Sequence, residues 1–171
     1  MCGIVGYSST GFRAAHVLLH GLQTLEYRGY DSSGAAFFTA RGVEIIKSKG
    51  TVSQLQKRLE QCSIRSSCGI AHTRWATHGA PDERNAHPHR QGSVTLVHNG
   101  IIENHALLAK ELEAKGYRFH TQTDSEVACA CIDEAYQRLK DPLRALQCAQ
   151  TQLKGSYAFA VLFDEWPDTV Y

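Results

Sequence analysis

Residues 1–9 read MCGIVGYSS, and the fold turns on what the second of them does. Ile4, Val5 and Tyr7 form an apolar run that reads as a strand, ending in the polar pair Ser8-Ser9. Two readings of Cys2 compete. In one it is a small, soft hydrophobe at a chain end that frays. In the other Met1 is trimmed, as is usual before a small second residue, and Cys2 becomes residue one. A thiol nucleophile and a free α-amino base then sit on a single residue.

The chain has 171 residues, 43% of them hydrophobic and 20% charged, which suits one globular domain with a real core. Eighteen Lys and Arg against seventeen Asp and Glu give a formal charge of +1, and no basic block occurs. Neither nucleic acid nor an anionic membrane is therefore an expected partner, and the ligand should be small. No charged start precedes an apolar core of roughly 7–15 residues, and no run approaches the ~18 apolar residues of a spanning helix, so the expected location is cytoplasmic. The six cysteines contain no C-x-x-C pair and are expected to be thiols. Nine histidines invite a metal assignment, but there is no H-E-x-x-H, and His87 to His89 lie in a polar Pro-containing loop, so neither metal nor cofactor is expected.

Beyond the first strand, Ala14, Leu18, Leu22 and Leu25 recur at helical spacing and predict a helix over about 12–26. AAFFT and VEIIKSK flank Arg41-Gly42 as a hairpin, and Val52, Leu55 and Leu59 mark a helix over 52–62. CGIAHTRWATHG reads as a strand entering a loop. SVTLVHNGIIEN reads as two strand-like runs meeting at a tight turn, Asn99-Gly100. A helix over 104–115 stops at Gly116, YRFHT reads as a short strand, and a helix near 125–139 is followed by another from Asp141-Pro142 to Gly155. SYAFAVLF is a continuous apolar strand. Hairpin-linked strands, then paired helices, then another strand predict an α+β sandwich with mostly antiparallel sheets in one domain over 1–171.

Three polar loops, YRGYDSSG, HTRWATHG and HNGIIEN, set charged and amide groups among glycines, and such loops on a rigid scaffold carry sites. Asn99-Gly100 suits a plain hairpin turn. It equally suits an oxyanion site, the Asn99 carboxamide and the unobstructed Gly100 N–H donating to an attacked acyl oxygen. Arg74 is either a surface arginine or a planar fork for a carboxylate, with Trp75 beside it to cover such a ligand. Asp124 is either a capping or first-turn acid of the helix that follows, or the partner of a ligand ammonium.

MCGIVGY, LEYRGYDSSG, HTRWATHG, NAHPH, HNGIIENH and TDSE, in this order, resemble the glutaminase (class II glutamine amidotransferase) domain of the glutamine–fructose-6-phosphate aminotransferases, across essentially the whole chain. The resemblance implies an N-terminal-nucleophile hydrolase fold, an αββα sandwich, with Cys2 as nucleophile and Asn99 and Gly100 as oxyanion hole. It implies that Arg74 and Asp124 hold glutamine's α-carboxylate and α-ammonium. Trp75, Thr77, His78 and Gly79 become parts of a loop closing on glutamine, and Arg28 a supporting residue. His72, His87 and His98 match without a role that can be derived. YDSSG and TDSE stand where YDSAG and TDTE are expected, mild exchanges among small or hydroxylated residues.

The implied reaction is hydrolysis of L-glutamine to glutamate and ammonia through a Cys2 thioester, the amine taking the thiol proton. The family's glutaminase domain continues for several more strands, and two sugar-isomerase-like domains that bind fructose 6-phosphate follow it, with homo-oligomers possible in the full-length enzyme. This chain is thus expected to be the glutaminase half, incomplete at its C-terminus. The alternatives are the glutaminase part of an amidophosphoribosyltransferase-type enzyme and an inactive glutamine-binding fragment.

Overall fold

A computed structural model of the chain describes residues 2–75 and 79–171. Two antiparallel sheets are packed face to face and each carries helices on its outer side. The first sheet has the order β1-β4-β2-β3, built from β1 (Gly3–Ser8), β2 (Ser32–Thr39), β3 (Gly42–Lys49) and β4 (Cys68–Arg74). The second has the order β5-β6-β7, from β5 (His89–Gln91), β6 (Val94–Ile102) and β7 (Gly155–Phe163). Helices α1 (Ala14–Leu25) and α2 (Val52–Glu60) cover the first sheet. Helices α3 (His105–Ala114), α4 (Asp124–Leu139) and α5 (Pro142–Gln152) cover the second. The antiparallel sheets match the α+β sandwich read from the sequence, and the layer order is the αββα arrangement that the family resemblance implies.

The layers follow from the two-residue period of strands. In β2, Ala35 and Phe37 join Leu18, Leu22 and Leu55 under α1 and α2, while Ala36 and Phe38 face the second sheet with Ile70 and Leu162. In β6, Val94 and Leu96 pack on α4 with Ile132 and Tyr136, and Val97 faces the first sheet. Strands buried on both faces read as continuous apolar runs, which is why β2 and β7 show weak alternation in sequence.

Local signals explain most boundaries. The β2–β3 hairpin closes through Ala40 and Arg41, with Gly42 at φ +100°. α3 ends in a Schellman motif: Gly116 at φ +97° donates to the Glu113 carbonyl and Tyr117 N–H to that of Leu112. Asp141 caps α5 by accepting from Arg144 N–H, with Pro142 at the first helical position.

Two expectations are corrected. Asn99-Gly100 is not a turn, because β6 runs unbroken through it, pairing Asn99 with Ala158 and Gly100 with Tyr157. Gly100 is at φ +125°, and a Cβ there would collide with the Ser156 carbonyl of β7, so close approach between neighbouring strands explains the glycine. YRFHT is not a strand. The His120 and Thr121 N–H groups donate to the Glu126 carboxylate at 3.0 and 2.7 Å, which leaves no ladder for a neighbouring strand.

Candidate active site

The same alternation that builds the core aims the polar residues. Ile4 in β1 and Ile70 in β4 face the second sheet, so Cys2, His72 and Arg74, an even number of residues away, face it too. Asn99, two after Val97, points from β6 back toward the first sheet, while His98 points toward the start of α4. The two sheets thereby bring residues nearly a hundred positions apart to one end of the inter-sheet layer.

Cys2, Arg28, Arg74, Trp75, Asn99, Gly100 and Asp124 line a single cavity of 510 Å³ there. The Cys2 thiol is held on both sides by one residue: Trp75 N–H donates to Sγ at 3.2 Å, and Sγ–H lies 3.6 Å from the Trp75 carbonyl. Burial raises the Cys2 thiol above its ordinary value, and the Trp75 N–H and the Arg74 charge oppose the rise without cancelling it. A thiol in this state needs a base before it attacks. Asn99 Nδ2 donates to the Cys2 carbonyl at 3.1 Å, and its Oδ1 lies 2.9 Å from His72 Nε2. Gly100 is exposed to the cavity, so its backbone is open to close approach.

Two buried charges line the same cavity. Arg74, 3% exposed, donates from Nη1 to the Ala80 carbonyl at 3.1 Å and from Nη2 to that of Gly79 at 3.5 Å, with Asp31 Oδ1 at 3.8 Å. Asp124, 4% exposed, accepts from Ile102 N–H at 2.8 Å, while its other oxygen lies 4.0 Å from His98 Nδ1. Asp124 is a first-turn residue rather than the cap, since Thr123 Oγ1 accepts from Glu126 N–H and caps α4. Its carboxylate meets the positive end of that helix.

Trp75 is 49% exposed and packs edge-on to Tyr30 at 5.6 Å, forming the cavity rim. Arg28 Nε donates to the Tyr27 hydroxyl at 3.0 Å and lines the same rim. Gly79 does not line the cavity. It sits at φ +76°, where a Cβ would meet Asn85 Nδ2 at 2.8 Å, and its carbonyl serves Arg74. Thr77 and His78 lie outside the described residues.

Sequence reasoning left several wall residues unnamed. Ser125 accompanies Asp124 into the cavity, and Ser156 to Ala158 form the wall contributed by β7. The only local signal for Ser125 was its place inside TDSE; the β7 residues carried none, because a strand edge facing a site looks like any other strand. His72, His87 and His98, without a role in the sequence, form a buried group beside Asn99, and His87 and His98 line the cavity. Among the described residues no group of three His, Cys, Asp or Glu is arranged to hold a metal ion, and no helix is long and apolar enough to cross a membrane.

Residues 72–170, more than half of the chain, match the family model described as a glutamine amidotransferase domain. The chain is 45% identical over 170 residues to the glutamine–fructose-6-phosphate aminotransferase (isomerising) of Fusobacterium nucleatum, covering 98% of this chain and 28% of that protein. It is 46% identical over 173 residues to the enzyme of the same name from Thermus thermophilus, covering 99% and 28%. Among solved structures it resembles the glutamine phosphoribosylpyrophosphate amidotransferase from B. subtilis complexed with ADP and GMP, with a TM-score of 0.75 at 25% identity over 95% of this chain and 35% of that one. The chain spans under a third of the length of the curated relatives it matches. With the fold, the cavity and the family match in agreement, the chain belongs to the glutamine amidotransferase domain family.

Proposed function

We propose that the chain hydrolyses L-glutamine to glutamate and ammonia, with Cys2 as the N-terminal nucleophile once Met1 is removed. The observation that carries this reading is the convergence of the Cys2 thiol, the Asn99 carboxamide and the Gly100 backbone on one cavity that Arg74 and Asp124 also line. In the first step the Cys2 α-amine takes the thiol proton and Sγ attacks the side-chain carbonyl carbon of glutamine. The carbonyl oxygen becomes an oxyanion, stabilised by donation from Asn99 Nδ2 and Gly100 N–H. The ammonium so formed returns the proton to the leaving nitrogen, the C–N bond breaks, and ammonia departs from a glutamyl thioester. Water then repeats the attack with the same amine as base, releasing glutamate and the thiol.

The substrate's charged end is gripped by Arg74, which offers a planar fork to the α-carboxylate, and Asp124, whose anion suits the α-ammonium. Trp75, Thr77, His78 and Gly79 make the segment that closes on glutamine, and Arg28 supports the rim. A reducing, cytoplasmic setting suits a reaction that depends on a free thiol in a chain whose six cysteines are unpaired.

In a protein of the length of its relatives, the ammonia passes to fructose 6-phosphate to make glucosamine 6-phosphate. The 45% identity to the fructose-6-phosphate enzyme against 25% to the phosphoribosyl one weighs the acceptor toward the sugar phosphate. Residues 1–171 supply the glutaminase half, and the acceptor site belongs to the portion of the relatives that this chain does not match. Purified chain incubated with glutamine and fructose 6-phosphate, assayed for glutamate and amino sugar together, tests this: glutamate without amino sugar is expected. Amino sugar above a no-enzyme control would overturn the division of labour, and the absence of glutamate would overturn the glutaminase reading.

A further inference from the structure

Next to Asn99 are four buried polar side chains that the proposed reaction does not use, connected end to end, and three of them, His87, Ser125 and His98, also line the cavity. His72 Nδ1 is 3.1 Å from His87 Nδ1, His87 Nε2 is 2.8 Å from Ser125 Oγ, and Ser125 Oγ is 2.8 Å from His98 Nδ1. They come from four separate segments: β4, the loop before β5, the first turn of α4, and β6. All four residues are buried.

The chemistry of one end sets the direction of these links. The Cys2 carbonyl only accepts, so the Asn99 group facing it at 3.1 Å is the NH₂ and the group facing His72 is the carbonyl oxygen. That oxygen requires His72 to donate from Nε2. A neutral imidazole has one N–H, so His72 Nδ1 accepts and His87 Nδ1 donates to it. His87 Nε2, at 2.8 Å, then accepts from the Ser125 hydroxyl in preference to Asp124 Oδ1 at 3.5 Å, and the Ser125 oxygen accepts from His98 Nδ1–H. Asp124 Oδ1, 4.0 Å beyond His98 Nδ1, is an anion placed to favour a proton on that nitrogen. Burial holds His72 down to about 3 and His87 well below its ordinary range, so both imidazoles are neutral at working pH and the single-N–H count applies.

We propose that His98, Ser125, His87 and His72 form a one-directional hydrogen-bond chain that positions Asn99 with its NH₂ toward the reacting carbonyl and links that donor to the carboxylate of Asp124. All donors point the same way, from the Asp124 end toward Cys2, so each bond polarises the next and strengthens the last one. Reversing Asn99 would require every link to reverse and would set two carbonyl oxygens against each other at Cys2. These are positioning residues, acting on the oxyanion through Asn99. The inference rests on the glutaminase reading for its catalytic consequence but not for its geometry.

Two measurements test it. Two-bond ¹H–¹⁵N spectra of histidine-labelled chain report tautomers without reference to activity. His98 is expected to carry a proton on Nδ1, and His72 and His87 are expected as the Nε2–H and Nδ1–H forms respectively, those two unchanged between about pH 6 and 8. An Nδ1–H His72, or a cationic ring at His72 or His87 in that range, would overturn the chain whether or not glutamine is hydrolysed. For the catalytic consequence, Ser125→Ala and His72→Phe should lower kcat for glutamate release by about 10²-fold, as expected for a misplaced catalytic group, with KM within about threefold. Ser125→Thr, which keeps the hydroxyl, and His72→Gln, which restores a donor near the Nε2 position, should recover most of the loss. In an Asn99→Ala background Ser125→Ala should change kcat no further. A full additional loss there, or no recovery by Ser125→Thr, would show that the four residues do not act through Asn99.

Discussion

Replacing Asn99 by Asp separates the oxyanion contribution from glutamine binding with the smallest change in shape. The carboxylate keeps an acceptor 2.9 Å from His72 Nε2 but sets an oxygen where Nδ2 donates to the Cys2 carbonyl at 3.1 Å. Loss of one oxyanion-hole donor costs about 2.7–4 kcal/mol, or roughly 10²–10³ in kcat. The new negative charge adds repulsion of up to about 4 kcal/mol against an oxyanion ~4 Å away at an effective dielectric of ~20. The rate of glutamate release should therefore fall by at least about 10²-fold, and further at pH values where the new carboxyl is ionised. Glutamine affinity should stay within about threefold, because Arg74 and Asp124 are untouched. A coupled glutamate assay with calorimetry of glutamine binding gives both numbers. A kcat within tenfold of the parent at unchanged affinity would refute Asn99 as an oxyanion donor, and a loss confined to affinity would make it a binding residue instead.

Arg74→Ala and Asp124→Asn should each weaken glutamine binding by roughly 2–5 kcal/mol, since both charges are buried and each would leave a substrate charge unpaired; normal titration curves for both variants would remove the clamp. Stability should fall as pH drops below about 6.5. His72 has a folded value of about 3 and His87 and His89 lie well below the ordinary value, so the unfolded chain binds more protons in this window and protonation favours unfolding. Between pH 6.5 and 5, His72 alone accounts for about 1.6 kcal/mol, with His87 and His89 acting in the same direction. Urea midpoints at a series of pH values measure this, and a flat profile would mean that these rings are not held neutral.

Most strands, helices and caps were legible because each depends on neighbours in sequence, whereas the three-residue β5 at His89–Gln91 falls where a polar loop is expected. The Schellman ending at Gly116 and the cap at Asp141 are local events. Asn99-Gly100 misled because the same dipeptide signals a turn and a strand position pressed by its neighbour. What decides between them is the Ser156 carbonyl, far along the chain in β7. YRFHT alternates like a strand, but its N–H groups go to Glu126, a partner that spacing does not announce. Cys2 was singled out by its position, whereas the duties of Arg74 and Asp124 came from the resemblance. The histidines stayed without a role because 72, 87 and 98 share no period; they meet only through the packing of β4 against β6 and the placement of α4. The Ser125 exchange looked mild, and its structural position explains why: Ser and Thr both supply the hydroxyl that His87 and His98 share.

The proposed reaction stands on Cys2 as its nucleophile. Its most direct test is glutamate release by Cys2→Ala, measured beside glutamine binding to the same protein. The truncation leaves Asn99, Gly100, Arg74 and Asp124 in place, so glutamate production should fall to the buffer rate while glutamine affinity stays within about threefold of the parent chain. Glutamate release at the parent rate from Cys2→Ala would remove Cys2 as the nucleophile.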